Sequence, residues 1–175
     1  EEYYKSDTAY PPVHTDIMRR LLQTEGICTV LDAGCGPASM LRDLTDLGLD
    51  LYGFDLTPEM VSEARRILSG KGLAMDRIWQ GSVLDSKSFV SAPDGKKDFD
   101  AGICFGVLPH IPDGSEATVI ANFKKVMRPG GLIAMEARNE LFSLFTQNRY
   151  SSAYFKDKLL RVEGLRKRAG AESDG

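Results

Sequence analysis

The stretch VLDAGCGPA, residues 30–38, constrains the fold more than any other part of the chain. An apolar run leads into an acid, Asp32, and then into the turn Gly34-Cys35-Gly36. A strand that ends in G-x-G and feeds a helix sets backbone N–H groups and a helix N-terminus beside a ligand, and such a turn belongs to a strand–helix–strand unit. The rest of the chain continues that alternation. The expected class is therefore α/β, with a doubly wound, mostly parallel sheet covered by helices on both faces.

The pattern places a first helix from His14 to Thr24, with Ile17, Met18, Leu21 and Leu22 on its buried side. Strand one runs from Thr29 to Asp32. A helix begins near Pro37 and stops before Gly48, and strand two spans Leu49 to Asp55. Thr57 and Pro58 are the N-cap and first residue of the next helix, whose stripe is Met60, Val61, Ala64, Ile67 and Leu68. Strand three is Arg77 to Gln80, and the polar stretch SAPDGKK precedes strand four, Asp98 to Gly106. A helix from Ser115 to Met127 leads through the turn RPGG to strand five, Leu132 to Ala137. Beyond it, Leu141, Phe142, Leu144 and Phe145 suggest a short helix and residues 151–170 a longer one. The basic cluster Arg161, Arg166, Lys167 and Arg168 reads as a solvated face. The expected division is 1–28, N-terminal segment and helix; 29–137, ligand-binding core; and 138–175, helical segment, all in one domain.

Bulk properties narrow the partner. A length of 175 residues, 42% of them hydrophobic, suits one globular core. A net charge of -3 gives no electrostatic reason to bind nucleic acid or an anionic membrane. Cys28, Cys35 and Cys104 form no CxxC pair and have only His14 and His110 to join them, so no metal site and no disulfide framework are expected. No segment approaches the roughly 18 apolar residues that span a bilayer, and EEYYKSDTAYPP has no signal-peptide character. The expectation is a reducing, cytoplasmic setting and a small-molecule partner.

The turn itself argues against phosphate. A dinucleotide fingerprint needs glycine or alanine where this chain has Ser39, and G-x-x-x-x-G-K-[ST] is absent. Asp32 at the strand mouth would repel a pyrophosphate and attract a cation. S-adenosylmethionine carries a sulfonium and an ammonium, has no phosphate, and presents ribose hydroxyls that need acceptors. Asp55, 21 positions after Gly34, ends strand two where an acid can accept from both hydroxyls.

On these motifs the chain resembles the class I S-adenosylmethionine-dependent methyltransferases over roughly residues 1–137. VLDAGCGPA is similar to their glycine-rich motif, LYGFDLTPEM to the acidic-loop motif, Gly81-Ser82-Val83 to the adenine segment, FDAGICFGVLPHIPD to strand four and its loop, and VMRPGGLIAMEA to the approach to strand five. The resemblance implies a Rossmann-like fold and S-adenosylmethionine as cofactor. It also implies that Gly34, Cys35 and Gly36 line the methionine part, with Asp32 holding the ammonium and Asp55 the ribose. Leu56 and Met60 would pack on adenine, beside Gly81, Ser82 and Val83. Ser82 stands where many relatives have an acid, with Asp85 a possible substitute. Backbone near Phe105 would reach the ammonium, and YYKSDTAYP would act as a lid bringing Tyr4 or Tyr10 to the sulfonium. Relatives usually add an antiparallel hairpin beside strand five. No such alternation follows Ala137, so the hairpin is expected to be missing.

The implied reaction is in-line methyl transfer to an oxygen, nitrogen or carbon of a small molecule. His110, after strand four, is the candidate general base or substrate-orienting residue. Glu136, Arg138 and Asn139 end strand five on the same side of the sheet, where they could touch a substrate or form a solvated loop. CFGVLPHIPD lacks the Asn/Asp-Pro-Pro-Tyr/Phe pattern of nucleic-acid amino methyltransferases, which again favours a small-molecule acceptor. The competing readings are a nicotinamide-dependent oxidoreductase and a catalytically silent S-adenosylmethionine-binding protein.

Overall fold

The computed structural model describes residues 12–137. Tyr4, Tyr10 and the expected lid lie outside these residues, as do Arg138, Asn139 and the helices expected after them.

Helix α1, Pro12–Thr24, precedes β1, Thr29–Ala33. Met18 and Leu22 are buried as expected, but Ile17 is exposed. Gly26, in the left-handed region at φ 61°, turns the chain so that the Ile27 amide donates to Leu22 O and the helix end is closed. All five residues of β1 are buried, which is what a central parallel strand covered on both faces requires.

The long helix expected after Pro37 is instead one turn, α2, Ser39–Arg42, followed by a 3-10 turn, Thr45–Leu47. Its start falls two residues later than Pro37, because Ala38 takes a left-handed conformation at φ 61°. Its extension is cut short where the Thr45 hydroxyl donates to the Arg42 carbonyl, a local bond that competes with the helix ladder. Arg19 of α1 holds the 3-10 turn through a forked pair of bonds to Asp46.

Strand β2, Asp50–Asp55, is followed by α3, Pro58–Ser69, with Thr57 at its N-cap and Val61, Ala64 and Leu68 buried. Strand β3 is Ile78–Gln80, and a short helix, α4, Ser86–Phe89, follows where the sequence reading placed none. Asp85 caps it, accepting from the Lys87 amide at 2.9 Å. Strand β4, Phe99–Cys104, α5, Glu116–Lys124, and β5, Met127–Met135, complete the described residues. The expected RPGG turn lies inside β5 as an irregularity. Phe99 pairs with Met127 and Ala101 with Leu132, so the four residues 128–131 stand opposite Asp100 alone and lengthen one side of the ladder by three.

The five strands lie in the order β3-β2-β1-β4-β5, all parallel. Two apolar clusters sandwich the sheet. One gathers Met18 and Leu22 of α1, Met40 and Leu41 of α2 and Val61, Ala64 and Leu68 of α3. The other joins Phe54, Phe89 and Phe123, which meet edge to face at 5.0 Å between ring centres. Helices therefore cover both faces, and the sheet is doubly wound as expected. The amino ends of β1, β4 and β5 meet at Asp100, which accepts from the Cys28 amide, the Thr29 amide and the Thr29 hydroxyl and pairs with Arg128. Among the described residues no helix is long and apolar enough to cross a membrane, and no group of His, Cys, Asp and Glu is arranged to hold a metal.

Candidate functional site

The strand order reverses between β1 and β4, and the crevice outside their carboxyl ends is where a doubly wound sheet receives a ligand. The glycine turn leaves β1 there. Its first two amides, Gly34 and Cys35, both donate to Phe54 O at 2.8 and 3.0 Å, and the third, Gly36, donates to Asp55 Oδ2 at 2.9 Å. Asp55 Oδ1 accepts from the Thr57 amide, and Asp55 O accepts from the Gly81 amide. Gly36, Asp55 and Gly81, chosen from three separate motifs, are thus tied together at one residue.

Asp32 is 4% exposed and its carboxylate accepts no hydrogen bond among the described residues. Burial pushes its pKa up to about 8, and the Asp55 carboxylate adds to the rise. A carboxyl held in this way is short of positive charge, which is the environment a cationic ligand relieves.

Gly34 shows why its position needs glycine. It sits at φ 84°, and a Cβ there would lie 2.4 Å from Val107 Cγ2. The loop after β4 therefore rests directly on the glycine turn. At Gly36, φ 54°, an added Cβ would meet nothing within 4 Å, so that side of the turn is open.

The Cys35 side chain is buried against Gly53, where an added Cβ would come within 3.2 Å of its sulfur. Burial, with Asp32 and then Asp55 adding to it, raises the thiol well above its ordinary range. Leu56 is 66% exposed beside Asp55, an apolar surface without cover, while Met60 on α3 is half-buried. Phe105, half-buried at the end of β4, lies 6.1 Å from the His14 ring. His110 is exposed on a 3-10 turn, Leu108–His110, held by its amide bonding Val107 O.

The loop after β3 is anchored by residues that sequence reasoning missed. The Ser82 amide donates to Ser88 Oγ, and the buried Asn122 of α5 donates to Val83 O at 3.0 Å. The Ser82 hydroxyl accepts from the Leu84 amide. Asp85, the possible substitute for Ser82, uses one oxygen as the cap of α4. The sequence DSKS carried a readable N-cap signal for α4, but nothing in it announced Asn122, whose partner is 39 positions away.

Residues 30–131, more than half of the chain, match the family described as "Methyltransferase domain". The chain is 30% identical over 137 residues to a ubiquinone biosynthesis O-methyltransferase of Xanthomonas axonopodis pv. citri, covering 78% of this chain and 54% of that protein. It is 28% identical over 110 residues to the protein of the same name from Thiobacillus denitrificans, covering 63% and 44%. The chain thus spans about half the length of these relatives. Among solved structures, an amino pentose methyltransferase from Micromonospora echinaspora superposes with a TM-score of 0.60 at 22% identity, covering 72% of this chain and 50% of that one. A SAM-dependent methyltransferase from Thiobacillus denitrificans in complex with S-adenosyl-L-homocysteine gives 0.56 at 22% identity, covering 77% and 52%. These structural likenesses show a shared fold.

Proposed function

The chain belongs to the methyltransferase domain family, and we propose that it moves the methyl group of S-adenosylmethionine to a small-molecule acceptor. The observation that carries this reading is Asp32, a buried carboxylate at the mouth of the central strand with no donor among the described residues. The ligand brings the missing cation, and when bound it supplies a methyl group on a positively charged sulfur that a nucleophile displaces in line.

The chain's own residues hold and orient. Asp32 would hold the ammonium. Each Asp55 oxygen accepts one backbone N–H and keeps acceptor capacity for a ribose hydroxyl. Leu56 would cover the adenine face, and the Ser82–Val83 backbone, braced by Ser88 and Asn122, would hold its edge. Val107, resting on Gly34, would form an apolar wall on the donor side of the crevice. The rate enhancement comes mainly from holding donor and acceptor in line and close together.

The relatives' names, ubiquinone biosynthesis O-methyltransferase, favour an oxygen acceptor. An oxygen acceptor must lose a proton, and His110 at the rim is the residue to take it. A neutral amine needs no such base. Calorimetry with S-adenosylmethionine against NAD tests the donor: binding of the first and not the second is expected, and no binding of the first overturns the reading. Release of S-adenosylhomocysteine with a panel of phenols and amines then identifies the acceptor class.

A further inference from the structure

Glu136 stands at the carboxyl edge of the sheet, one residue beyond β5, and is bound to β4 twice. Its amide donates to Cys104 O at 3.1 Å, extending the ladder by one step, and its Oε2 accepts from the Gly106 amide at 2.9 Å. Gly106 lies at φ 68°, a left-handed turn that redirects the chain from β4 into the loop. The next residue, Val107, packs onto Gly34, and its carbonyl accepts from the His110 amide at 2.9 Å. One carboxylate therefore fixes the turn from which both the wall over the donor turn and the candidate base at the rim are hung.

We propose that Glu136 is a positioning residue that holds the 105–110 loop over the donor side of the crevice. The value of this proposal for catalysis rests on the methyl-transfer reading above. Its role is to accept a hydrogen bond from a main-chain N–H, and it touches neither donor nor acceptor. A glutamine side chain has a carbonyl oxygen that can accept the same bond, whereas alanine has nothing to offer. That difference separates positioning from charge. A carboxylate acting directly on a bound cation or taking a proton would lose its function equally in Glu136→Gln and Glu136→Ala.

The test uses the full chain and two readouts. Amide hydrogen exchange at Gly106 and Val107, followed by NMR, is expected to be at least tenfold faster in E136A than in wild type. In E136Q it is expected to stay within about threefold, with exchange in β1 and β2 unchanged in both. Calorimetry with S-adenosylhomocysteine is expected to show several-fold weaker binding to E136A and wild-type binding to E136Q. Unchanged Gly106 exchange in E136A overturns the proposal. So does an E136Q protein whose Gly106 amide stays protected while its binding falls as far as that of E136A, because the charge would then act on the ligand itself. Failure of the wild-type chain to bind S-adenosylhomocysteine overturns the methyl-donor reading instead, and the exchange pattern still decides whether Glu136 holds the loop.

Discussion

The Gly36 amide donates to the Asp55 carboxylate at 2.9 Å, so the glycine turn after β1 is fastened to the acid that ends β2. The two residues are 19 positions apart, and their bond makes the turn and the acid one preformed unit. Asp55 thus has a structural duty before any ligand arrives, and its other oxygen caps the start of α3 through Thr57.

Replacing Asp55 with asparagine should remove charge and half of the acceptor capacity at the proposed ribose contact. Hydrogen bonds to charged groups are worth about 1.5–3 kcal/mol, so binding of S-adenosylhomocysteine should weaken by roughly ten- to a hundredfold. Isothermal calorimetry measures this directly. A change of less than about threefold would remove Asp55 from the ligand contacts.

Asp32 predicts an unusual pH dependence of stability in the ligand-free protein. Its folded pKa of about 8 lies above the ordinary carboxyl value near 4, so across that window the folded chain holds a proton that the unfolded chain has lost. Stability should therefore fall as pH rises from about 4 to about 8, by an amount on the order of a few kcal/mol. Asp32→Asn should flatten that component, leaving the variant more stable than wild type at pH 8 but weaker in binding S-adenosylmethionine. Urea denaturation of both proteins at pH 5 and pH 8 decides it, and parallel pH profiles would refute the assignment.

Two glycine-to-alanine changes in the same turn should differ in cost. Gly34→Ala meets both the left-handed backbone and the stiff Val107 side chain 2.4 Å away, and should destabilise by about 2–4 kcal/mol. Gly36→Ala meets only the backbone penalty, about 1 kcal/mol, because the space around it is open. Adding Val107→Ala to G34A should recover part of the loss by removing the clash. Equal costs for the two single variants in chemical denaturation would contradict the packing of Val107 on the turn.

Thiol chemistry should distinguish the three cysteines. Cys28 is exposed, whereas Cys35 and Cys104 are buried, and burial, with Asp32 adding, pushes the Cys104 thiol up to about 12. Dithionitrobenzoate at pH 8 should therefore react quickly with one thiol in the native protein and with all three after denaturation. Rapid labelling of a second cysteine in the native state would show that the core beneath the turn is open.

The inner strands β1, β2 and β4 were legible because most of their residues are buried and read as near-continuous apolar runs, with Asp32 the one charge inside β1. Glycine and acid at strand ends marked the turn and the proposed ribose position. Local competition was less legible. Thr45 takes a carbonyl from α2, Ala38 adopts a conformation its type disfavours, and RPGG is absorbed into an edge irregularity rather than ending a helix. Ile17 sits at helical spacing with buried neighbours yet faces outward, since spacing fixes a stripe but not its width. Side-chain direction at Cys35 and the long-range braces from Ser88, Asn122 and Glu136 depend on which elements pack together, information that no local pattern carries.

Asp100 at the amino edge of the sheet and Asp32 at the carboxyl edge sit on neighbouring strands with opposite hydrogen-bond balances. Asp100 is saturated, surrounded by amides, a hydroxyl and a guanidinium that leave it nothing to ask of solvent or ligand. Asp32 is a deficit, an acceptor for which the described fold provides no donor. The fold thus spends its own donors on closing one end of the sheet and leaves the other in debt to whatever binds, so that recognition at that end is a matter of supplying protons and positive charge rather than of matching shape alone.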